Sequence, residues 1–187
     1  GFIQGIKAAL AIRLKEMMTV KRIQEREREL KELAFKELSA IDGLHILAEN
    51  ITERQGVFSF YIDGIHHNLI TRLLNDRYGI QVRGGCSCAG TYGHFLLKVD
   101  INLSKEITDM IEAGDLSMKP GWVRLSLHPT MTNRELLYIT NAIAEIARNA
   151  KEWSEDYIYD RHTNEFNHRS FREVIASDHY GWFTDFD

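Results

Sequence analysis

The sequence has 187 residues, which is the size of one domain or of two small ones. Hydrophobic residues make up 44% and charged residues 27%, close to the globular average, which excludes a wholly disordered chain. No apolar run approaches the roughly 20 residues of a membrane-spanning helix, and the net charge of −4 offers no basic footprint for nucleic acid. Two cysteines are too few for a disulfide framework, so we expect a reducing, cytoplasmic location.

The first 38 residues carry a helical pattern that starts at once. Apolar side chains recur on one stripe, at Ile3, Ile6, Leu10, Leu14 and Met17. No capping residue, basic leader or cleavage site precedes them, so we expect a fragment of a longer protein. The pattern predicts a helix over residues 2–38, bent near Thr19.

The central part of the chain alternates between predicted strands and helices. Each predicted helix is closed by a glycine, Gly79 or Gly114. The predicted elements are strands over 44–48 and 57–62, a helix over 66–78, a strand over 80–83, a glycine-rich loop over 84–93 and a helix over 104–113.

The next segment predicts a strand followed by a long helix. Residues 122–127 alternate, with Val123 and Leu125 on one face and Arg124 on the other, beside Trp122. A capping box over residues 132–135 then begins a helix with a regular apolar face. The whole pattern predicts an α+β fold, a small and mostly antiparallel sheet with helices packed on it.

The last 35 residues differ in composition from the rest. Residues 153–187 hold nine of the 19 aromatic side chains and eight acidic side chains, against three arginines. We therefore expect a domain over residues 1–152 and an aromatic, acidic C-terminal extension over residues 153–187. Its aromatic content argues against disorder, so such an extension either wraps the domain or docks a partner, and we expect wrapping.

The loop over residues 84–93 has the composition of a reactive site. It holds four glycines, which let the backbone approach a ligand closely, and both cysteines, Cys86 and Cys88. A cysteine reacts as the thiolate, and Arg83 with the loop amides would favour that form. Three other interpretations stay open: two small buried thiols, an easily reduced Cys86–Cys88 disulfide, and a metal site with His94, for which the Cys-x-Cys spacing is unusual.

Arg124 is the second candidate binding residue. An arginine on a sheet face beside an aromatic ring suits bidentate capture of a carboxylate. The alternative is a surface arginine that lies across Trp122. His66 and His67 stand at a predicted helix start, so we expect them to be caps or surface residues and not metal ligands.

The stretch Arg83-Gly84-Gly85-Cys86-Ser87-Cys88-Ala89 resembles the Arg-x-Gly-x-x-Cys-Ala motif of the SufS-like cysteine desulfurases, which are class V aminotransferases. Val123-Arg124-Leu125-Ser126 is similar to the strand that carries the second site arginine of that family. Residues 1–38 resemble the long helix that returns from the large domain to the small one. The resemblance covers about residues 1–150.

This resemblance implies that the chain is the C-terminal small domain of a fold-type-I enzyme that uses pyridoxal phosphate. Cys88 then matches the catalytic cysteine, which takes sulfur from a cysteine substrate as a persulfide and leaves alanine. Arg124 matches the arginine that holds the substrate carboxylate, and Arg83 is the first arginine of the motif. Cys86 is a second thiol that would relay or protect the persulfide. The resemblance also implies a missing N-terminal large domain and a homodimer of the intact enzyme.

Two departures from the family pattern leave other activities of the same family open. His128-Pro129-Thr130 replaces the usual residues after the arginine strand, and an unusual segment begins at Thr91. No lysine lies in the Ser-x-His-Lys context of the Schiff-base lysine, so we expect no cofactor and no turnover on this chain alone. The alternatives are another transaminase, lyase or epimerase of the family, a stand-alone thiol or metal-binding module, and a structural interaction domain.

Overall fold

The computed structural model of the chain describes residues 2–86 and 90–170. Within these residues the chain forms six α-helices and six β-strands. The helices are α1 Phe2–Met18, α2 Val20–Ser39, α3 His67–Tyr78, α4 Gly90–Leu96, α5 Ile101–Glu112 and α6 Asn133–Trp153. The strands are β1 Leu44–Ile46, β2 Val57–Ile62, β3 Arg83–Gly85, β4 Trp122–Ser126, β5 Tyr157–Asp160 and β6 Glu165–His168. None of these helices combines the length and apolar character needed to cross a bilayer.

The N-terminal helical pattern is interrupted where the sequence predicts a bend. Thr19 has a φ of 60°, outside the helical range, and its hydroxyl accepts a hydrogen bond from the Arg22 amide at 3.4 Å as the cap of α2. Helix α1 buries none of its residues, whereas α2 buries Leu30, Ala34 and Leu38. The apolar stripe of α1 is therefore exposed.

The main sheet has four strands in the order β1-β2-β4-β3, and every neighbouring pair is antiparallel. One face is apolar, with Phe58, Phe60, Val123 and Leu125 buried in the core beneath α2, α3 and α6. Alternation along β2 and β4 places their polar side chains on the opposite face. The predicted α+β architecture is confirmed.

Several element boundaries differ from the predicted ones, each for a local reason. Strand β3 begins at Arg83 and not at residue 80, because the Ile80 amide donates to the Leu74 carbonyl at 3.0 Å and completes the C-terminus of α3. Strand β1 ends at Ile46, and Ala48 has a φ of 53°. Asp100 caps α5, which starts three residues before its predicted beginning. Helix α4 occupies part of the predicted loop.

The described part of the C-terminal extension packs against the domain as a hairpin. Strands β5 and β6 form a two-stranded hairpin, and Tyr157 belongs to the hydrophobic core. The Tyr157 hydroxyl donates to Asp76 Oδ2 on α3 at 3.1 Å. Residues 171–187 lie outside the described residues.

The turn of this hairpin is tied to the segment after α5. The Leu116 amide donates to the Arg161 carbonyl at 2.9 Å, and Arg161 lies 3.3 Å from the Asp115 carboxylate. His162 Nδ1 lies 2.9 Å from the Gly114 carbonyl oxygen. The hairpin therefore links α3 and the residues that follow α5.

Candidate active site

The register of the sheet brings the two predicted binding arginines together. Arg124 on β4 lies directly opposite Arg83 on β3, and on its other side directly opposite Ser59 on β2. Directly opposed residues of antiparallel strands project to the same face, with Cβ atoms about 4.5–5.5 Å apart. Both arginines therefore stand on the polar face of the sheet, away from the core.

Neither arginine is neutralised by the described part of the chain. Among the described residues, no carboxylate forms an ion pair with Arg83 or Arg124, and Arg124 makes no cation–π contact with Trp122. Like charges directly opposed across two strands are destabilising. A bound carboxylate would relieve this repulsion and accept hydrogen bonds from both guanidinium groups.

Ser59 is a neighbour of this pair that sequence reasoning missed. The strand over residues 57–62 was correctly predicted, and its alternation already separates Ser59 from the buried Phe58 and Phe60. Which strand pairs with β2, and in which register, cannot be read from that alternation. Ser59 was thus identifiable as a residue of the polar face, but its position beside Arg124 was not.

Two glycines of β3 allow the cysteine-bearing loop to lie close to α3. A Cβ on Gly84 would lie 2.6 Å from Asn68 Oδ1 and 2.9 Å from Thr71 Oγ1, so a side chain has no room there. Gly85 has a φ of 112°, a conformation that L-residues rarely adopt. The glycines therefore fix the path of the backbone that leads from Arg83 into the cysteine loop.

Cys86 is half-buried at the end of β3, where it meets α4. A Cβ on Gly93 of α4 would lie 3.9 Å from Cys86 Cβ and 3.2 Å from the Trp122 ring. Trp122 was predicted on the polar face, yet it is 5% exposed because α4 covers it there. Cys88, the predicted nucleophile, lies outside the described residues, and so does any pairing between the two cysteines.

The two neighbouring histidines have different roles. His66 is the N-cap of α3, and its Nδ1 accepts a hydrogen bond from the Asn68 amide at 3.1 Å. His67 is 6% exposed and stacks on His66 with 4.3 Å between ring centroids, so its prediction as a cap or surface residue is wrong. Burial, with smaller effects of the His66 and Lys119 charges, lowers the pKa of His67 to about 4.

The residues considered for a metal site have other partners where they are described. His94 Nδ1 lies 3.0 Å from the Ser104 hydroxyl, and His66 and His67 stack on each other. In residues 2–86 and 90–170, no three side chains of histidine, cysteine, aspartate or glutamate are placed to hold a metal ion.

Comparison of the sequence with known protein families identifies the family of this chain. Residues 3–139, well over half of the chain, match the aminotransferase class-V family. The chain belongs to the class-V aminotransferase family. Members of this family in general use pyridoxal phosphate.

Curated relatives of this class-V chain are cysteine desulfurases by name. The chain is 37% identical over 87 residues to the probable cysteine desulfurase 2 of Mycobacterium leprae, a match that covers 46% of this chain and 21% of the relative. It is 33% identical over 85 residues to the probable cysteine desulfurase of Halobacterium salinarum, covering 46% and 20%. The matched region is thus about a fifth of the length of each relative.

A solved structure gives the same assignment of fold. The apo structure of the cysteine desulfurase from Thermococcus onnurineus is similar to this class-V chain with a TM-score of 0.52 and 24% sequence identity. The similarity covers 74% of this chain and 29% of that one. At this identity the likeness establishes the fold.

Proposed function

We propose that this chain is the C-terminal small domain of a pyridoxal-phosphate-dependent enzyme that removes sulfur from cysteine. The observation that carries the proposal is the direct opposition of Arg83 and Arg124, without an acidic partner among the described residues, at the start of the cysteine loop. The desulfurase relatives support the reaction type. The exposed apolar stripe of α1, which includes Ile6 and Leu10, supports packing against a further part of such an enzyme.

The lysines of this chain do not suit the role of covalent anchor for the cofactor. Pyridoxal phosphate is held through a lysine, and Schiff-base lysines are made reactive by desolvation or by neighbouring cations. All nine lysines of the sequence lie in described segments, and none of them is buried. The proposal therefore assigns the cofactor, which acts as the electron sink of the reaction, to another part of the enzyme.

What this chain would contribute is substrate binding and a thiol. Arg124, with Arg83 beside it, binds the carboxylate of the amino acid in a bidentate manner. This contact orients the substrate so that its sulfur faces the loop that carries Cys88. The Cys88 thiolate would then attack the substrate sulfur: the S–S bond forms as the C–S bond breaks, and the electron pair left on the carbon takes up a proton. The products are a persulfide on Cys88 and alanine.

Substitution of Arg124 and Cys88 in the full-length polypeptide, loaded with cofactor, tests this function. Arg124→Ala is expected to raise the KM for cysteine by about 10- to 100-fold, because a charge-assisted contact contributes roughly 1.5–3 kcal/mol. Cys88→Ala is expected to abolish sulfide release and to keep the absorbance of bound cofactor. The measurements are sulfide release from cysteine and the cofactor spectrum.

Arg134→Ala is the matched control for loss of a positive charge. Arg134 is exposed in the first turn of α6, away from the cysteine loop, and its substitution should leave KM unchanged. An unchanged KM in Arg124→Ala would contradict the proposal that Arg124 binds the substrate carboxylate. Full sulfide release in Cys88→Ala would instead indicate a different activity of the class-V family.

A further inference from the structure

A groove of about 890 Å³ lies between the edge of the main sheet and the C-terminal hairpin. One wall is residues 81–86, with Cys86 at its end, and the floor is one side of α3 from His67 to Asn75. The opposite walls are formed by residues 116, 119 and 120 and by residues 163–166, which run from the hairpin turn into β6. Arg124 does not line this groove, whereas Arg83, on the edge strand, belongs both to the groove lining and to the polar sheet face.

The walls of the groove are held in place by buried contacts. Asn164, in the hairpin turn, is 8% exposed, and its side-chain oxygen accepts a hydrogen bond from the Tyr159 hydroxyl at 2.9 Å. Its backbone oxygen accepts a hydrogen bond from Asn68 Nδ2 on α3 at 2.6 Å. These hydrogen bonds fix the hairpin in position as one wall of the groove.

The sheet side of the groove is an open strand edge. Strand β3 is the last in the order β1-β2-β4-β3, so no strand of residues 2–86 and 90–170 pairs with one side of its backbone. Within the described residues, the outward amides and carbonyls of residues 81–86 form no hydrogen bonds. Such an edge pairs readily with an extended peptide, whose main chain continues the sheet.

The charge of the groove favours an acidic occupant. Arg83 and Lys119 line it, and neither has an ion-pair partner among the described residues. Arg72 is paired with Asp76, with Nε and Oδ2 3.1 Å apart. Glu165 is the single carboxylate among the described lining residues. Two free cations therefore flank the open edge.

We propose that this groove binds an extended acidic segment of a partner protein, which adds as a strand to β3 and brings its end to Cys86. The three residues of β3 offer an edge of roughly 10 Å, enough to pair with about three residues of an extended segment. Recognition combines main-chain hydrogen bonds with contacts from Arg83 and Lys119. Arg83 is shared with the proposed carboxylate site, so the proposal is tested through Lys119, which has no part in that site, and by binding, which needs no turnover.

Binding of a labelled acidic peptide tests the charge of the groove. The probe is a fluorescein-labelled octapeptide of alternating threonine and glutamate, followed by anisotropy with the intact chain. Lys119→Glu is expected to weaken binding by at least about tenfold. Lys151→Glu, a matched reversal on α6 that does not line the groove, should change it by less than about twofold. No saturable binding, or equal loss in both variants, overturns the proposal.

A second probe tests strand pairing. The same peptide with four consecutive central amides N-methylated keeps its charge but loses its main-chain donors. It is expected to lose at least about tenfold in affinity, because pairing with β3 requires those donors. Equal binding of the two peptides would show an anion site without strand addition. Binding only after removal of residues 171–187 would identify the occupant as this chain's own C-terminus and would also contradict the proposal.

Alkylation locates the bound peptide. In a Cys88→Ser variant Cys86 is the single cysteine of the chain. A bromoacetyl group on the acidic octapeptide is expected to label Cys86 faster than the same group on an alternating threonine–lysine peptide, and Lys119→Glu should remove the difference. Equal labelling by the acidic and basic peptides would contradict docking beside Cys86.

Discussion

At the scale of single residues, His67 shows how a polar side chain is used inside this domain. Its ring lies between the ring of His66 and the backbone at Gly121, where an added Cβ would come within 2.6 Å of it. A charged imidazolium at this position would lose most of its hydration. The folded chain therefore keeps His67 neutral under conditions in which the unfolded chain protonates it.

The consequence is a loss of stability in mild acid. The pKa of His67 is about 4 in the folded chain, against an ordinary pKa of 6.5 for a histidine in the unfolded chain, so below pH 6.5 the unfolded state binds the extra proton. The free energy of unfolding should be highest above pH 7 and fall by roughly 3 kcal/mol as the pH decreases to 4. Urea denaturation at several pH values measures this slope.

His67→Gln is the informative variant for this pH dependence. It removes the titrating ring, so the part of the slope between pH 6.5 and 4 should decrease. His128→Gln, in the exposed turn before α6, serves as the control and should keep the slope of the unsubstituted chain. Equal slopes in all three proteins would mean that His67 does not govern the acid response.

The residues of the candidate site were largely predictable, but their arrangement was not. Alternation within β4 placed Arg124 on the polar face, and the motif singled out Arg83. Their direct opposition depends on which residues of β3 pair with β4, and this was obscured because the predicted strand began at residue 80. The buried state of His67 was missed because it depends on contacts with Gly121, 54 positions later in the chain.

At the scale of elements, the ends of helices were more predictable than those of strands. The capping box at Thr132 and Glu135 and the left-handed Gly79 are local signals, and both fix helix ends as expected. Strand limits depend on partners that are distant in sequence. The start of β3 illustrates this dependence, because the Ile80 amide is already used by α3.

The close approach of α3 to the segment before β4 yields a second test. Gly121→Ala would bring a Cβ to 2.6–2.8 Å from three atoms of the His67 ring, which is stacked and has little room to move. We expect the free energy of unfolding to fall by about 1–3 kcal/mol, the usual cost of overpacking. Thermal or urea denaturation measures the change.

Gly5→Ala provides the matched comparison. Nothing lies within 4 Å of a Cβ added at Gly5, and alanine is favoured over glycine in a helix by up to about 1 kcal/mol. This variant should be at least as stable as the unsubstituted chain. If Gly121→Ala had no effect on stability either, α3 and the segment before β4 would not be packed as closely as described.

At the scale of the whole molecule, the C-terminal hairpin is attached to the domain without being part of the main sheet. Its main contribution to the hydrophobic core is Tyr157, and burial, with the neighbouring Asp76 charge, raises the pKa of this tyrosine to about 12. The hydroxyl thus stays protonated and donates to Asp76. Its composition sets this segment apart from the rest of the chain, but which elements the hairpin contacts could not be read from that composition.

Truncation after Trp153 measures what the hairpin contributes. The four-stranded sheet with α2, α3 and α6 retains nearly all of the core, so we expect a folded chain whose free energy of unfolding is lower by about 3 kcal/mol. Tyr157→Phe, which keeps the packing and removes the hydroxyl, should cost only about 1 kcal/mol. A truncated chain without a cooperative transition would show that the hairpin is essential to folding, and an unchanged stability would show that it does not pack.

The pairing of Gly85 with Trp122 has a consequence for how such a domain can vary. Everything between these two residues leaves the sheet and returns to it at adjacent points of neighbouring strands. Because the entropy of closing a loop rises slowly with its length, a doubling of this excursion would cost only about 0.6 kcal/mol. The excursion begins with the cysteine loop and ends at the arginine strand. Insertions and deletions there would reshape the surroundings of Arg83 and Arg124 while leaving the framework intact, which makes this segment a natural place for the candidate site to vary.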